Sequence, residues 1–272
     1  MSRFLARGLL VGLCLAAVFS EAKATQSFRV MTYNIHHGEG RDGRVDLKRI
    51  AALIGAEKAD IVALQEVDRG VARTGRRDLI GELARLTGMN FYFEKNIDHQ
   101  GGEFGNAILT RFQILAEKNT HYRMLRQGEQ RGLLHVVLDA DGQEVLFMNT
   151  HLDYHRDDAQ RRMNVTQIKE TLEEHPTLPV IFCGDFNEAP GGRTYERLSA
   201  FLRDAWNEAG EGGGFTFPSI NPVRRIDYIW VSEEATKRTT RTMGYEVRPL
   251  RAWVAKSDAS DHLPIVAEFL VE

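Results

Sequence analysis

Cysteine is nearly absent from this 272-residue chain, which has only Cys14 and Cys183, and Cys14 lies in an apolar stretch close to the N-terminus. A disulfide framework is therefore excluded as a source of stability, and so is a zinc site built on several thiolates. Proline is scarce, at seven residues, and no Pro- or Ser-rich linker divides the sequence. A single domain over residues 25–272 is expected. Beyond residue 24 no apolar run approaches the roughly 20 residues that a membrane helix needs. There is no excess of positive charge either: 35 basic residues face 38 acidic ones.

Residues 1–24 carry the pattern of an export signal, with Arg3 and Arg7, an apolar run from Gly8 to Phe19, and the small-residue site Ala22-Lys23-Ala24. A secreted or periplasmic location is expected. Those residues hold Arg3, Arg7, Lys23 and Glu21, so the remaining chain has 32 basic and 37 acidic residues, a net charge of −5. Broad binding of duplex nucleic acid relies on neutralising phosphates and does not suit such a chain.

What is present is an alternation of short apolar runs with helix-like segments. Strands are expected at Phe28 to Tyr33, Ile61 to Leu64, Phe91 to Glu94, Asn106 to Thr110, Leu133 to Leu138, Val145 to Asn149, Val180 to Cys183, Ile226 to Val231, Gly244 to Val247 and Leu263 to Leu270. Helices are expected at Asp46 to Lys58 behind an Asp cap, at Asp78 to Thr87 closing on Gly88, at Arg156 to Glu174, and at Thr194 to Phe201. Asp141-Gly142 is a hairpin turn. The mixture predicts an α/β fold with two packed β-sheets and helices outside.

The strand-like runs repeatedly end in polar residues: Tyr33-Asn34, Leu64-Gln65-Glu66, Asn149-Thr150-His151-Leu152-Asp153, Gly184-Asp185-Phe186-Asn187, Arg225-Ile226-Asp227-Tyr228 and Ser260-Asp261-His262. One such residue is usually a turn former or a cap. Six, mixing Glu, Asp, Asn and His, point to loops converging on a ligand at one set of strand ends. Carboxylates with amide oxygens suit a hard divalent cation, Mg2+ with Mn2+ as a substitute. Glu66 and Asn34 suffice as its ligands beside a phosphate, which leaves Asp185 to take a proton from water and Asn187 to orient that water. His151 and His262 can donate hydrogen bonds to phosphate oxygens, with Asp227 holding one imidazole.

The ordered series MTYNIH, ALQEV, GNAILT, NTHLD, GDFNEAP, RRIDYIW and SDHLP, from Phe28 to the C-terminus, resembles the endonuclease/exonuclease/phosphatase superfamily with its deoxyribonuclease I-like fold. The resemblance implies a four-layer α/β sandwich and Mg2+-dependent hydrolysis of phosphate esters without a covalent intermediate. It places Asn34 and Glu66 at the metal, with Asp261 beside it or at a second position, and pairs Asp227 with His262. It carries over Asn106, His151, Asp185 and Asn187 as well. His36 stands where some relatives have an Asp, which argues against a DNA-repair assignment.

His36-His37 either contacts substrate or faces solvent, and Arg131 is expected to meet the phosphate or brace the site. Arg73, with Arg69, Arg76 and Arg77, forms a loop suited to a second phosphate or an acidic head group. Arg156, Arg161 and Arg162 are expected on a helix surface, and Phe215, Phe217 and Trp230 in the core. The resulting expectation is a monomeric phosphodiesterase or phosphatase acting on a small phosphate ester or lipid head group. A nuclease acting on DNA or RNA is one alternative, and a non-catalytic phosphate-binding module of the same fold is another.

Overall fold

Period-two alternation sorts apolar side chains onto opposite faces of each strand, and in this protein both faces are buried. The computed structural model describes residues 27–232 and 246–271. The expected signal at 1–24, and residues 244 and 245 of the expected strand Gly244 to Val247, lie outside the described residues.

One six-stranded sheet contains β1 (Ser27–Asn34), β2 (Ile61–Arg69), β3 (Asn90–His99), β4 (Gly102–Thr110), β11 (Val247–Val254) and β12 (Ile265–Val271), in the order β11-β12-β1-β2-β4-β3. The other contains β5 (Gln113–His121), β6 (Gly132–Asp139), β7 (Glu144–His151), β8 (Val180–Asp185), β9 (Leu202–Asp204) and β10 (Asp227–Ser232), in the order β5-β6-β7-β8-β10-β9. Each sheet has one parallel pair, β1 with β2 and β7 with β8, and antiparallel pairing elsewhere. Parallel neighbours need a crossover. These are supplied by α1 (Leu47–Glu57) and α3 (Ala159–Glu174), while α2 (Leu79–Thr87), α4 (Arg193–Leu198) and α5 (Ala205–Ala209) follow β2, β8 and β9.

Three apolar layers hold this together. Val30, Ile61, Ile108, Leu134, Phe147, Ile181 and Ile229 fill the space between the sheets. Their strand neighbours Met31 and Val62 point outward onto Leu47, Ile50 and Ile54 of α1 and Leu79 and Leu83 of α2. Leu146 and Phe182 point the other way, onto Val165 and Ile168 of α3. Each such side chain contributes about 1.5–3 kcal/mol when fully buried. The arrangement is the expected four-layer sandwich.

Local signals explain the element ends. Asp46 and Asp78 accept hydrogen bonds from Lys48 N and Gly81 N at the starts of α1 and α2, and Gly88 closes α2 in the left-handed conformation. Asp141 and Gly142 both have positive φ in a two-residue hairpin loop. Several elements differ from expectation: β9 and α5 were not expected, β11 continues to Val254 past the expected Val247, and α4 ends at Leu198 rather than Phe201. The third helix begins at Ala159 rather than Arg156, because Asp153 to Asp158 form a loop knotted by side-chain hydrogen bonds. Strand β5 was not expected, since it is a polar, largely exposed edge with no apolar alternation.

Across the interior, β1 lies against β8 and β2 against β7. The carboxyl ends of both parallel pairs therefore meet at one end of the sandwich. Gln65 and Asn149, which the sequence offered as ligand-binding strand ends, are fully buried and joined to each other. Gln65 Nε2 donates to Asn149 Oδ1 at 2.7 Å, and Asn149 Nδ2 donates to the Leu64 and Ala107 carbonyls at 2.9 and 2.8 Å. Their role is to tie one sheet to the other beneath the converging ends. Replacing Asn149 by Ala leaves several buried polar groups unpaired, and is expected to cost about 2–4 kcal/mol in urea unfolding. A cost well below 1 kcal/mol would show the seam to be dispensable.

Candidate active site

The first sheet contributes Asn34 from the last position of β1 and Glu66 from a bulge in β2, where pairing with β4 shifts between Leu64 and Val67. Glu66 has φ 60°, a left-handed conformation that only surrounding structure can hold on such a residue. The bulge turns its side chain to the strand end. Asn34 Nδ2 donates to Glu66 Oε1 and to Asp185 Oδ2, both at 3.1 Å, bridging the sheets. Ser260 Oγ donates to the Asn34 carbonyl at 2.7 Å and lies 3.3 Å from Asp261 Oδ1, which brings the Ser260-Asp261-His262 segment alongside.

Asp185, 1 % exposed, ends β8. Gly184 before it lies so close to the Thr150 carbonyl that a Cβ would collide. Asn187 is left-handed at φ 53°, and its N–H donates to Asp185 Oδ1 at 2.9 Å. Three nitrogens converge on Asp185 Oδ2: Asn34 Nδ2 at 3.1 Å, His151 Nε2 at 3.5 Å and His262 Nε2 at 3.7 Å. Behind them His262 Nδ1 meets Asp227 Oδ2 at 2.9 Å, and that same oxygen accepts from Thr216 Oγ1 at 2.6 Å. Phe217 packs tilted against His262 with ring centroids 4.8 Å apart.

This geometry splits the ionisable groups into distinct states. Burial, reinforced by the Asp227 charge, pushes the Asp185 carboxyl up to about 7, against the pull of His262, Asn34 and the Asn187 N–H. Burial disfavours charge on His262, but Asp227 and Asp185 outweigh it and push that imidazole up to about 10. His151 goes the other way: burial, Arg131 and His262 hold it well below the usual range. Neutral His151 faces the Asn187 amide at 3.1 Å, and Asn187 Nδ2 also donates to the Leu152 carbonyl. That second bond fixes the amide orientation, so His151 Nε2 accepts and its proton sits on Nδ1, which is buried and without a protein partner.

The donor set beside Asn34 is oxygen: Glu66, the Asn34 amide oxygen and Asp261. That chemistry fits a hard divalent cation. Asp185, Asp227 and His262 also lie close enough to hold an ion, but they read better as a hydrogen-bonded chain. A protonated His262 has no lone pair to give, and its Nδ1 is already engaged with Asp227.

Other expected residues fall differently. Asn106 is buried and its Nδ2 points at the Gly132 carbonyl, 3.4 Å away. Arg131 is buried against Glu129 at 3.0 Å, near enough for its charge to act on His151. His36 is half-buried after Asn34, its N–H donating to Asn34 Oδ1 at 3.1 Å. Arg73, expected at a second phosphate, is instead clamped on the fully buried Asp68 by two 2.8 Å bonds. Arg69 pairs with Asp78 and Arg77 with Glu82, so the arginine-rich loop is largely neutralised from within. Arg161 is a correction: it is buried, not superficial, and bonds the carbonyls of Asp153 and His155 and the Glu188 carboxylate. Phe215 is another, being 46 % exposed rather than in the core, while Trp230 is buried as expected. Thr216 carries no sign in the sequence of belonging to the site, and Ser260, quoted there with Asp261 and His262, none of its bond to the Asn34 carbonyl. A hydroxyl beside the apolar Phe217 gave no local sign of reaching Asp227.

Asp185 and His262 make stability depend on pH with a definite sign. Asp185 is raised above its ordinary 3.8, so its contribution is complete below that value and lost as pH rises through about 7. The His262 contribution is complete below 6.5 and lost only as pH rises through about 10. In chelator, the unfolding free energy of the protein relative to that of Asp185→Asn is expected to fall between pH 4 and 7.5, the buried His37, His135 and His151, which act in the opposite direction, being common to both. Equal slopes by denaturant titration would remove Asp185 as its source.

Comparison with known proteins accords with this arrangement. The model of the Endonuclease/Exonuclease/phosphatase family matches residues 31–262. YbhP of Escherichia coli K12 is 29% identical, covering 89% of this chain and 96% of that protein. A 5'-tyrosyl-DNA phosphodiesterase of Caenorhabditis elegans is 26% identical, over 66% of this chain and 48% of its own length. The structure of a mannosyl-6-phosphatase from Bacteroides thetaiotaomicron superposes with a TM-score of 0.69 at 20% identity, covering 89% of this chain and 99% of that one. The chain belongs to the endonuclease/exonuclease/phosphatase family of divalent-metal-dependent phosphoester hydrolases.

Proposed function

We propose that this is an exported, Mg2+-dependent phosphodiesterase or phosphatase in which Asp185 activates the attacking water. The observation that supports it most is the convergence of Asn34, His151 and His262 on one oxygen of a buried carboxylate poised near neutrality. A general base works best with its pKa near the working pH. Asp185 takes a proton from water as the water oxygen bonds to phosphorus and the ester P–O bond breaks, the leaving oxygen departing as an oxyanion that takes a proton from solvent. Protonated His262, oriented by Asp227 and Thr216, donates to a phosphoryl oxygen that gains charge. His151 Nε2 accepts from the Asn187 amide, so Asn187 acts on the imidazole rather than on water. Asn106 and Arg131 flank the phosphate. Glu66 and Asn34, with Asp261 adjacent, would hold the cation, which when bound neutralises charge on the phosphate oxygens.

A small ester or head group remains the favoured substrate, acted on by a monomer. Support for a multi-anionic one has weakened, because Arg73 and Arg77 are paired internally. Exposed arginines on the loop before β6 are also matched by acids, Arg123 with Glu170 and Arg126 with Asp153 and Asp157, which leaves little for a long nucleic acid to follow. The named relatives span a sugar phosphatase and a DNA-end phosphodiesterase.

With an activated aryl phosphodiester and Mg2+, Asp185→Asn is expected to lower kcat by roughly 10²–10⁴-fold, and chelator to abolish turnover. Unchanged turnover in the variant rejects the base. Expressed from its full reading frame in a Gram-negative host, the protein is expected in the periplasmic fraction with Thr25 at its N-terminus. Sequencing that finds residues 1–24 retained in the cytoplasm rejects export.

A further inference from the structure

A different donor set lies one turn along from Asn34. His36 and His37 form a short 3-10 turn with Gly38, and both histidines have left-handed backbone, at φ 46° and 43°. The turn is pinned by Gly38 N to Ile35 O, Glu39 N to His36 O and Asp46 N to Gly38 O, at 2.8, 2.9 and 3.0 Å. Gly38 itself, at φ 80°, has Leu47 and Val45 packed where a Cβ would stand. The turn therefore has little freedom to rearrange.

From it three side chains converge. The imidazole rings of His36 and His37 are edge to face with centroids 4.4 Å apart. His37 Nε2 lies 3.6 Å from Glu39 Oε2, and ligand-type atoms of His36, His37 and Glu39 are all within 4.8 Å of one another. His37 is only 9 % exposed, yet its Nδ1 has no partner, so hydrogen bonding does not account for a histidine in that place. Two ligands bound at ~2.0–2.2 Å to one tetrahedral ion stand roughly 3.4 Å apart, close to the His37–Glu39 spacing. The nearby Arg73 cation is neutralised by Asp68.

We infer that His36, His37 and Glu39 form a second cation site, selective for a borderline transition metal of the Zn2+ class and separate from the all-oxygen site at Asn34 and Glu66. Two imidazole nitrogens and a carboxylate favour Zn2+, Co2+ or Ni2+ over Mg2+, since Mg2+ prefers oxygen and keeps its waters. Three protein ligands leave a fourth position open to solvent on the half-exposed His36 side.

The test uses Co2+, which is coloured when bound by few ligands including nitrogen. The full chain is titrated with Co2+ in excess Mg2+, following visible absorption and bound metal by elemental analysis. One Co2+ with a visible band is expected. His37→Ala and Glu39→Gln should each weaken its binding tenfold or more, while Glu66→Ala, which strips the oxygen site, should keep the band. Absence of a band in the parent protein overturns the proposal. So does a band unchanged in both His37→Ala and Glu39→Gln, or one lost in Glu66→Ala. Glu39→Gln at a half-exposed position guards against a His37→Ala protein that fails to fold.

Discussion

A single carboxylate oxygen, Asp185 Oδ2, sits where the two sheets close on each other, and much of the molecule is arranged to keep it there. Burying a charge is costly unless it is paired. The structure meets that cost with the Asn34 amide from the opposing sheet, the Asn187 N–H from its own loop and the cationic His262. Compensation is incomplete, which is why the acid is held near neutrality. Neither sheet owns the site. Asn34, Glu66 and the segment leading into β12 belong to one, and His151, Asp185 and Asp227 to the other. The arrangement therefore depends on the docking of the sheets, and Gln65 with Asn149 fixes their register just below.

Part of the backbone strain lies in the same place, although Lys58, Arg76, Gln100, Asp141 and Asn221 hold positive φ elsewhere. Glu66, Asn187, His36 and His37 all hold positive φ without being glycine. Each such residue costs of order 1–3 kcal/mol unless its surroundings over-determine it. They lie at the converging strand ends, where side chains must leave the period-two pattern to face a common point. The three apolar layers provide the stability that makes this affordable.

Much of this was legible in the chain itself, for identifiable reasons. Asp46, Asp78, Gly88 and Asp141-Gly142 act on backbone within a few residues, so their meaning is local and survives in the sequence. The strand-end polar residues were legible as a set because a sheet delivers its ends to one place. What was hidden depends on distant parts meeting. Arg73 looks like a free cation until the fold buries Asp68 beneath it. Arg161 looks like a surface helix residue until the loop carbonyls before the helix wrap around it. Gln65 and Asn149 have the composition of ligands but are consumed by each other, 84 residues apart. Strand β5 lacks alternation because its edge faces water.

Cys183, set between Phe182 and Gly184 and facing the inter-sheet core, is the one cysteine of the described residues. Burial raises its thiol well above the ordinary range, so the thiolate needed for reaction hardly forms while the sheets stay together. The chain thus carries an internal clock for its own opening: a thiol reagent reads out how often the two halves of the sandwich part, and an oxidising milieu leaves this thiol untouched while they stay closed.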